Sequence, residues 1–233
     1  MCQRIKDVKT GVTKSDDSHA VPIDQASGRQ LLWLPVEDPV AGEVVGALAS
    51  LFAVHGAPLV LKSDNGSPFN AGSTRALLTA FGVIPLFSPP RTPRYNGAIE
   101  AGIGSLKTRT ETHAVRHGRP GWWTWDDVAA AQAEANATAR PRGPSGPTPD
   151  ASWHARRVVT PEERRRFQAT VERLRIQERG DNLLTTAGPL SPTQEAIVER
   201  RAVRRALEEH GYLLYSRRRF PLPIRRRKAA GIT

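Results

Sequence analysis

Residues 62–69 read KSDNGSPF and follow directly on the apolar run APLVL at 57–61. An apolar run this short, bounded by turn residues, predicts a buried strand over 58–64. Asp64 then stands at the strand's C-terminal end, and Asn65-Gly66 turns the chain away. Two readings compete. Asp before Asn-Gly is ordinary turn chemistry. The carboxyl edge of strands is also where sites form in open α/β sheets.

The flanking sequence gives the setting. Upstream, AVPID (20–24) and GRQLLWLPV (28–36) predict two short strands joined by QAS. Asp38-Pro39 predicts a helix start, with Asp38 as N-cap and Pro39 at the first helical position, and Gly56 as the stop. Downstream, a helix over 71–82 ends at Gly82, VIPLF (83–87) is a strand, and SPPRTPRYNG (88–97) is a Pro-rich loop. Helices follow over 98–118 and 124–140, the second with Thr124 as N-cap. Strands first, then strand and helix in alternation, predict an α/β layered domain. PRGPSGPTP (141–149) is a loop, and charged helices are expected over 160–179 and 191–211. Their Thr-Pro-Glu-Glu and Ser-Pro starts are good caps. Trp122, Trp123 and Trp125 are expected to pack in the core or at the start of a helix.

Glu100 falls near the start of the 98–118 helix, with 35 residues between it and Asp64. A helix and two strands fit in that interval, so the two carboxylates can meet. Convergent carboxylates hold hard divalent cations through oxygen. Two such ions about 4 Å apart serve phosphoryl transfer. Viewed alone, the pair has a plainer reading as a turn Asp and a Glu that complements the helix dipole.

The surrounding residues extend the pattern. Asp64, Asn65, Gly66 and Phe69 are followed by Tyr95, Asn96, Gly97 and Glu100, and Lys107 lies seven residues beyond Glu100. Together these resemble the catalytic core of the retroviral-type integrase and DDE transposase family, most closely its bacterial insertion-sequence branch. The segment NATARPRGPSGPTPDASWHAR (136–156) is similar to the family's closing segment, and DQASGRQLLWLPV to its second-to-third strand turn. The likeness covers about residues 20–156. It implies an RNase H-like α/β fold with a mixed five-stranded sheet flanked by helices. It also implies three carboxylates, two Mg²⁺ or Mn²⁺ ions, and hydrolysis and transesterification of DNA phosphodiesters without a covalent protein–DNA intermediate. By this resemblance Asp64 is the second carboxylate and Glu100 the third. Asn96 and Gly97 form the flexible approach to the catalytic helix. Lys107, two turns along the same face, is placed to reach a DNA phosphate.

The first carboxylate departs from the pattern. Asp24 matches the later turn, and counting back lands on Asp7 in QRIKDVKTGV, between the weak strand residues Ile5 and Val8. Asp7 is the candidate; the rival is a first strand that is missing or scrambled. The expectation is an N-terminally truncated or degenerate member, or a chain whose true start lies upstream. Residues 1–19 then hold a possible remnant of strand one, 20–156 the core, and 157–233 a basic helical extension. A metal-dependent strand-transfer enzyme and a catalytically inactive DNA-binding remnant on the same fold are both carried forward.

Charge adds a partner class. The formal net charge is +11, and residues 157–233 hold 18 Arg and Lys against 9 Asp and Glu, whereas residues 1–156 hold 16 against 14. YSRRRFPLPIRRRK gathers Arg217, Arg218, Arg219, Arg225, Arg226, Arg227 and Lys228 among aromatic residues. Such a segment suits a polyanion, most simply DNA, through phosphate contacts that carry no sequence information. A homo-oligomer on DNA ends follows from the resemblance. A single cysteine excludes an internal disulfide framework. The longest apolar run, 44–54, is far short of the roughly 20 residues a membrane span needs. The expected location is cytoplasmic. No zinc spacing and no Gly-rich nucleotide loop is seen.

Overall fold

Helix α1 (Ala41–His55) sets the first packing layer. Its buried residues Val44, Leu48 and Phe52 recur every four positions, one stripe of a helix. They meet Leu78 and Val83 in a shared cluster with Leu61 and Phe69 at its edge. Gly56, at φ +81°, ends the helix and donates to the Phe52 carbonyl at 3.0 Å. The helix follows Val40 without a side-chain cap. The expected cap, Asp38-Pro39, lies outside the described residues. The computed structural model describes residues 12–14, 19–20, 22–35, 40–90, 92–183 and 188–214.

Strand β4 (Val60–Ser63) pairs in parallel with β5 (Ile84–Phe87), in the register Val60↔Ile84 to Ser63↔Phe87. Parallel neighbours need a crossover, which α2 (Ser67–Asn70) and α3 (Gly72–Ala80) supply. Two antiparallel pairs complete the described strands: β1 (Val12–Lys14) with β6 (Trp122–Thr124), and β2 (His19–Ala20) with β3 (Leu34–Pro35). The hairpin expected from 20–24 and 28–36 is present with shorter strands, β2 and β3, and an isolated Ile23↔Gln30 bridge nearer the turn. Among the described residues the strands form three two-stranded sheets. The pairings that would join them into one five-stranded sheet are not among them.

The helix expected over 98–118 is α4 (Gly97–Arg116). Its buried stripe, Leu106, Thr110 and Ala114, packs beside Trp33, Trp123, Val128, Ala131 and Ala135. Val128, Ala131 and Ala135 belong to α5 (Trp125–Thr138), which opens with a capping box between Thr124 and Asp127. The short helix α6 (Pro149–His154) follows. Of the three clustered tryptophans, Trp123 is core, in edge contact with Trp33 at 5.9 Å. Trp125 is the first residue of α5, at a helix start as expected. Trp122, on β6, is half exposed and takes neither place.

Helices α7 (Pro161–Leu183) and α8 (Pro192–Glu209) cover the other face of the β4–β5 pair. Phe167, Val171 and Leu174 of α7 and Ala202, Val203 and Ala206 of α8 are buried with Leu59, Ile84 and Leu86. Arg164 locks this contact, donating to the carbonyls of Ala57, Pro58 and Gly82 at 2.5, 2.6 and 3.2 Å. Residues 161–209 contain ten arginines and nine carboxylates. Many pair across the hairpin: Arg175 with Glu199, Arg205 with Glu178, Arg179 with Glu195 and Arg173 with Glu209. The two helices are therefore nearly neutral as a unit. The excess positive charge of this half of the chain falls mainly on residues 217–228.

Candidate functional site

Asp64 is the first residue past β4 and is exposed. Its Oδ1 accepts from the Gly66 N–H at 3.0 Å, an Asx turn of the kind the Asp-Asn-Gly sequence favours. Gly66 matters here through proximity. A Cβ at that position would stand 2.9 Å from Asp64 Oδ1, so a side chain would push the carboxylate aside. The turn thus holds an exposed carboxylate at the carboxyl end of a parallel strand.

Glu100 lies in the first turn of α4, also exposed. Among the described residues no hydrogen bond or ion pair engages its carboxylate. The start of α4 is tied to the β4 end by two routes. Lys62, on β4, seats its ammonium 3.9 Å from the centre of the Tyr95 ring and donates to the Tyr95 carbonyl. In the second route, Asn65 Nδ2 donates to the Ser88 carbonyl at 2.9 Å, and Ser88 Oγ lies 2.9 Å from Asn96 Oδ1. Ser88 Oγ is also 2.9 Å from the Ser63 carbonyl. A hydroxyl has one proton, so only one of these two oxygens receives it at a time. Tyr95 and Asn96 belong to a 3-10 turn (Pro93–Asn96) that runs straight into α4.

At the expected approach to the helix, Asn96 lies in a 3-10 turn within hydrogen-bond distance of Ser88. Gly97 is simply the first residue of α4, with nothing within 4 Å of a Cβ placed there. Lys62 and Ser88 did not stand out in the sequence patterns. Lys62 did carry a signal: a lysine inside an apolar strand has to find a partner. Its pKa is lowered by burial.

Lys107 sits two turns beyond Glu100, half-buried. It lines an open groove of about 590 Å³ with Glu111, Val115, Arg116 and Trp123. That groove runs along α4 and is separate from the Asp64–Glu100 edge. Asp7, Arg217, Arg218, Arg219, Arg225, Arg226 and Arg227 lie outside the described residues.

Two exposed carboxylates suit a hard divalent cation by donor type. Among the described residues no group of three His, Cys, Asp or Glu side chains is placed to hold a metal. Nor, among them, is any helix long and apolar enough to cross a membrane.

No protein-family model and no curated protein matches the sequence. Solved structures do match in fold. A chain of the simian T-cell lymphotropic virus intasome in complex with PP2A regulatory subunit B56 gamma aligns at 18% identity, over 60% of this chain and 52% of that one, with a TM-score of 0.53. This protein thus spans about half the length of that chain. The HTLV-2 integrase catalytic core domain in complex with magnesium, in a dimeric form, aligns at 18% identity over 59% and 83% of the two chains, with a TM-score of 0.47. The catalytic core domain of BIV integrase aligns at 22% identity over 61% and 90%, with a TM-score of 0.49. The intasome chain carries the conclusion these likenesses allow, which concerns architecture: the protein shares its α/β fold with that chain.

Proposed function

We propose that the protein carries out metal-dependent cleavage and transfer of DNA strands, in the manner of a DDE-type integrase or insertion-sequence transposase. One observation carries this reading. The strand end bearing Asp64 and the helix start bearing Glu100 are bound to each other through Lys62–Tyr95 and Asn65–Ser88–Asn96. These contacts join the two elements that carry the carboxylates, which lie far apart in sequence.

On this reading Asp64 and Glu100 hold Mg²⁺ or Mn²⁺, and Asp7 supplies the third carboxylate. When bound, a pair of such ions activates the attacking oxygen and stabilises the leaving one. The chain's own part is to fix anionic oxygens at a rigid edge. An oxygen nucleophile, water or a DNA 3′-hydroxyl, bonds to phosphorus and gives its proton to solvent, while the bond from phosphorus to the 3′-oxygen breaks and that oxygen takes up a proton. Lys107, Asn96 and the arginines at 217–219 and 225–227 bind phosphates. The core is assigned to 20–156, with α7 and α8 packed on it, and DNA holding within 157–233 to the arginine-rich tail, and the protein acts as a homo-oligomer that bridges DNA ends.

Nicking of supercoiled DNA in Mn²⁺ or Mg²⁺, measured beside Asp64→Asn and Glu100→Gln, tests the proposal. The expected result is nicking by the parent chain and none by either variant. Nicking that both variants retain would sink it.

A second reading is an inactive DNA-binding protein on the same fold. The state of Asp24 favours it. This carboxylate of the β2–β3 hairpin accepts through Oδ2 from the Ser27 N–H at 2.7 Å and the Ser27 hydroxyl at 2.5 Å. Asp24 is therefore occupied as a turn residue and does not stand in for the third ligand. Salt-sensitive DNA binding with no nicking is the signature of this second reading.

A further inference from the structure

The cation of Lys62 is in an unusual place. Its neighbours on the same face of the β4–β5 pair are Val60, Ile84 and Leu86, since β4 alternates and Lys62 pairs with Leu86 in register. Ile84 and Leu86 are buried in the apolar cluster under α7 and α8. A leucine or methionine would complete that surface at lower cost.

What the ammonium holds is specific. It binds the carbonyl of Tyr95 and lies 3.9 Å from the centre of the ring of the same residue. An attraction of this type strengthens as the pair is desolvated. Tyr95 stands next to the last residue of the 3-10 turn, just before α4 begins. Lys62 stands on β4, two residues before Asp64, with Ser63 between them. The grip therefore joins the two carboxylate-bearing elements close to both carboxylates. The second tie, through Ser88, has one proton to share between Ser63 and Asn96 and is the softer of the two.

We propose that Lys62 is a positioning residue. Its grip on Tyr95 sets where α4 begins beside β4, and so sets the separation of the Asp64 and Glu100 carboxylates. The proposal rests on the metal reading given above and adds a residue that touches neither DNA nor ion.

The test compares the full chain with Lys62→Met, Lys62→Arg and Tyr95→Leu. Lys62→Met keeps length and apolar bulk but loses the charge. Tyr95→Leu loses the ring but keeps the carbonyl. Three quantities are read: Mn²⁺ affinity by titration calorimetry, the Mn²⁺ concentration giving half-maximal nicking, and amide hydrogen exchange in the first turn of α4. Lys62→Met is expected to weaken Mn²⁺ binding and raise the half-maximal Mn²⁺ by at least tenfold. Its nicking returns at high Mn²⁺, and exchange at residues 99–103 quickens. Lys62→Arg recovers most of the affinity, and Tyr95→Leu falls between. Lys62→Met with unchanged Mn²⁺ affinity, in a chain where Asp64→Asn has lost it, overturns the role of Lys62 alone. A parent chain that neither binds Mn²⁺ nor nicks overturns the metal reading and the role of Lys62 with it. If Lys62→Met fails to fold by circular dichroism, Tyr95→Leu decides, and its unchanged Mn²⁺ affinity overturns the proposal.

Discussion

Asn136 satisfies both backbone groups of Gln30, a residue 106 positions earlier in the chain. The Gln30 N–H donates to Asn136 Oδ1 at 2.9 Å, and Asn136 Nδ2 donates back to the Gln30 carbonyl at 2.9 Å. A side-chain amide so replaces a strand partner and fastens the end of α5 to the hairpin. The Gln30 carbonyl has a second donor in Gln132 Nε2, but among the described residues its N–H has Asn136 alone. Asn136→Ala is therefore expected to strand a buried N–H and cost about 1–3 kcal/mol. In a chain of this size that lowers the melting temperature by roughly 3–10 °C. Calorimetry checks it, and DNA binding below the transition should be unchanged.

Acid stability should depend on Asp127. Its side chain is fully buried, and burial by itself would raise its pKa. The bonds from Arg119, from the Thr124 N–H and hydroxyl, and from His117 outweigh burial and hold the carboxyl well below its usual range. The folded value is thus below the unfolded one, near 3.9. The stabilisation is complete above the unfolded value and drains away as pH falls toward the folded one. Melting temperature measured from pH 7 to pH 2 should drop steeply below about pH 4. Asp127→Asn should flatten that drop and lower the melting temperature at pH 7, because it weakens the bonds from Arg119, Thr124 and His117.

Gly66→Ala separates site geometry from stability. Gly66 has φ −54°, which alanine adopts freely, so the melting temperature should move by less than about 2 °C. The added Cβ would meet Asp64 Oδ1 at 2.9 Å and must displace the carboxylate. A loss of Mn²⁺ affinity of about tenfold or more, near 1.4 kcal/mol, is expected by calorimetric titration. Unchanged affinity would show that the Asp64 carboxylate does not touch the ion.

Removing α7 and α8 should collapse the protein, and removing the tail should not. A chain ending at residue 156 exposes Leu59, Ile84 and Leu86, which those helices bury. It should bind hydrophobic dyes and aggregate. Arg164→Ala is the milder form of the same lesion, about 2–3 kcal/mol for a charged donor to three carbonyls. A chain ending at residue 214 should keep its melting temperature. Its DNA affinity at low salt should fall by more than about tenfold, and the slope of log K against log salt should shrink by about 0.9 for each phosphate no longer neutralised.

The sequence alone determined the helices and their limits where the signal was local. Thr124 and Ser191 cap α5 and α8 as their sequences predict, and Gly56 ends α1 at a positive φ. The β4–β5 strands were legible because short apolar runs between turn residues have few other uses. The placing of Asp64 past a strand and Glu100 in a first helical turn came from the same local grammar. Tertiary structure alone decided what bonds across the chain. That Asn136 serves Gln30, that Arg164 caps three carbonyls, and that Lys62 grips Tyr95 depend on segments 33 to 107 residues apart. A side chain's partner at such a distance is set by how the layers stack, and no periodicity records it. The charge of α7 and α8 shows the same division. Composition counted the arginines, but only the fold showed that Arg173, Arg175, Arg179, Arg201 and Arg205 face carboxylates on the neighbouring helix. The excess positive charge is thereby left to the tail, because a helix pair that neutralises itself across its own seam has little left to offer a polyanion.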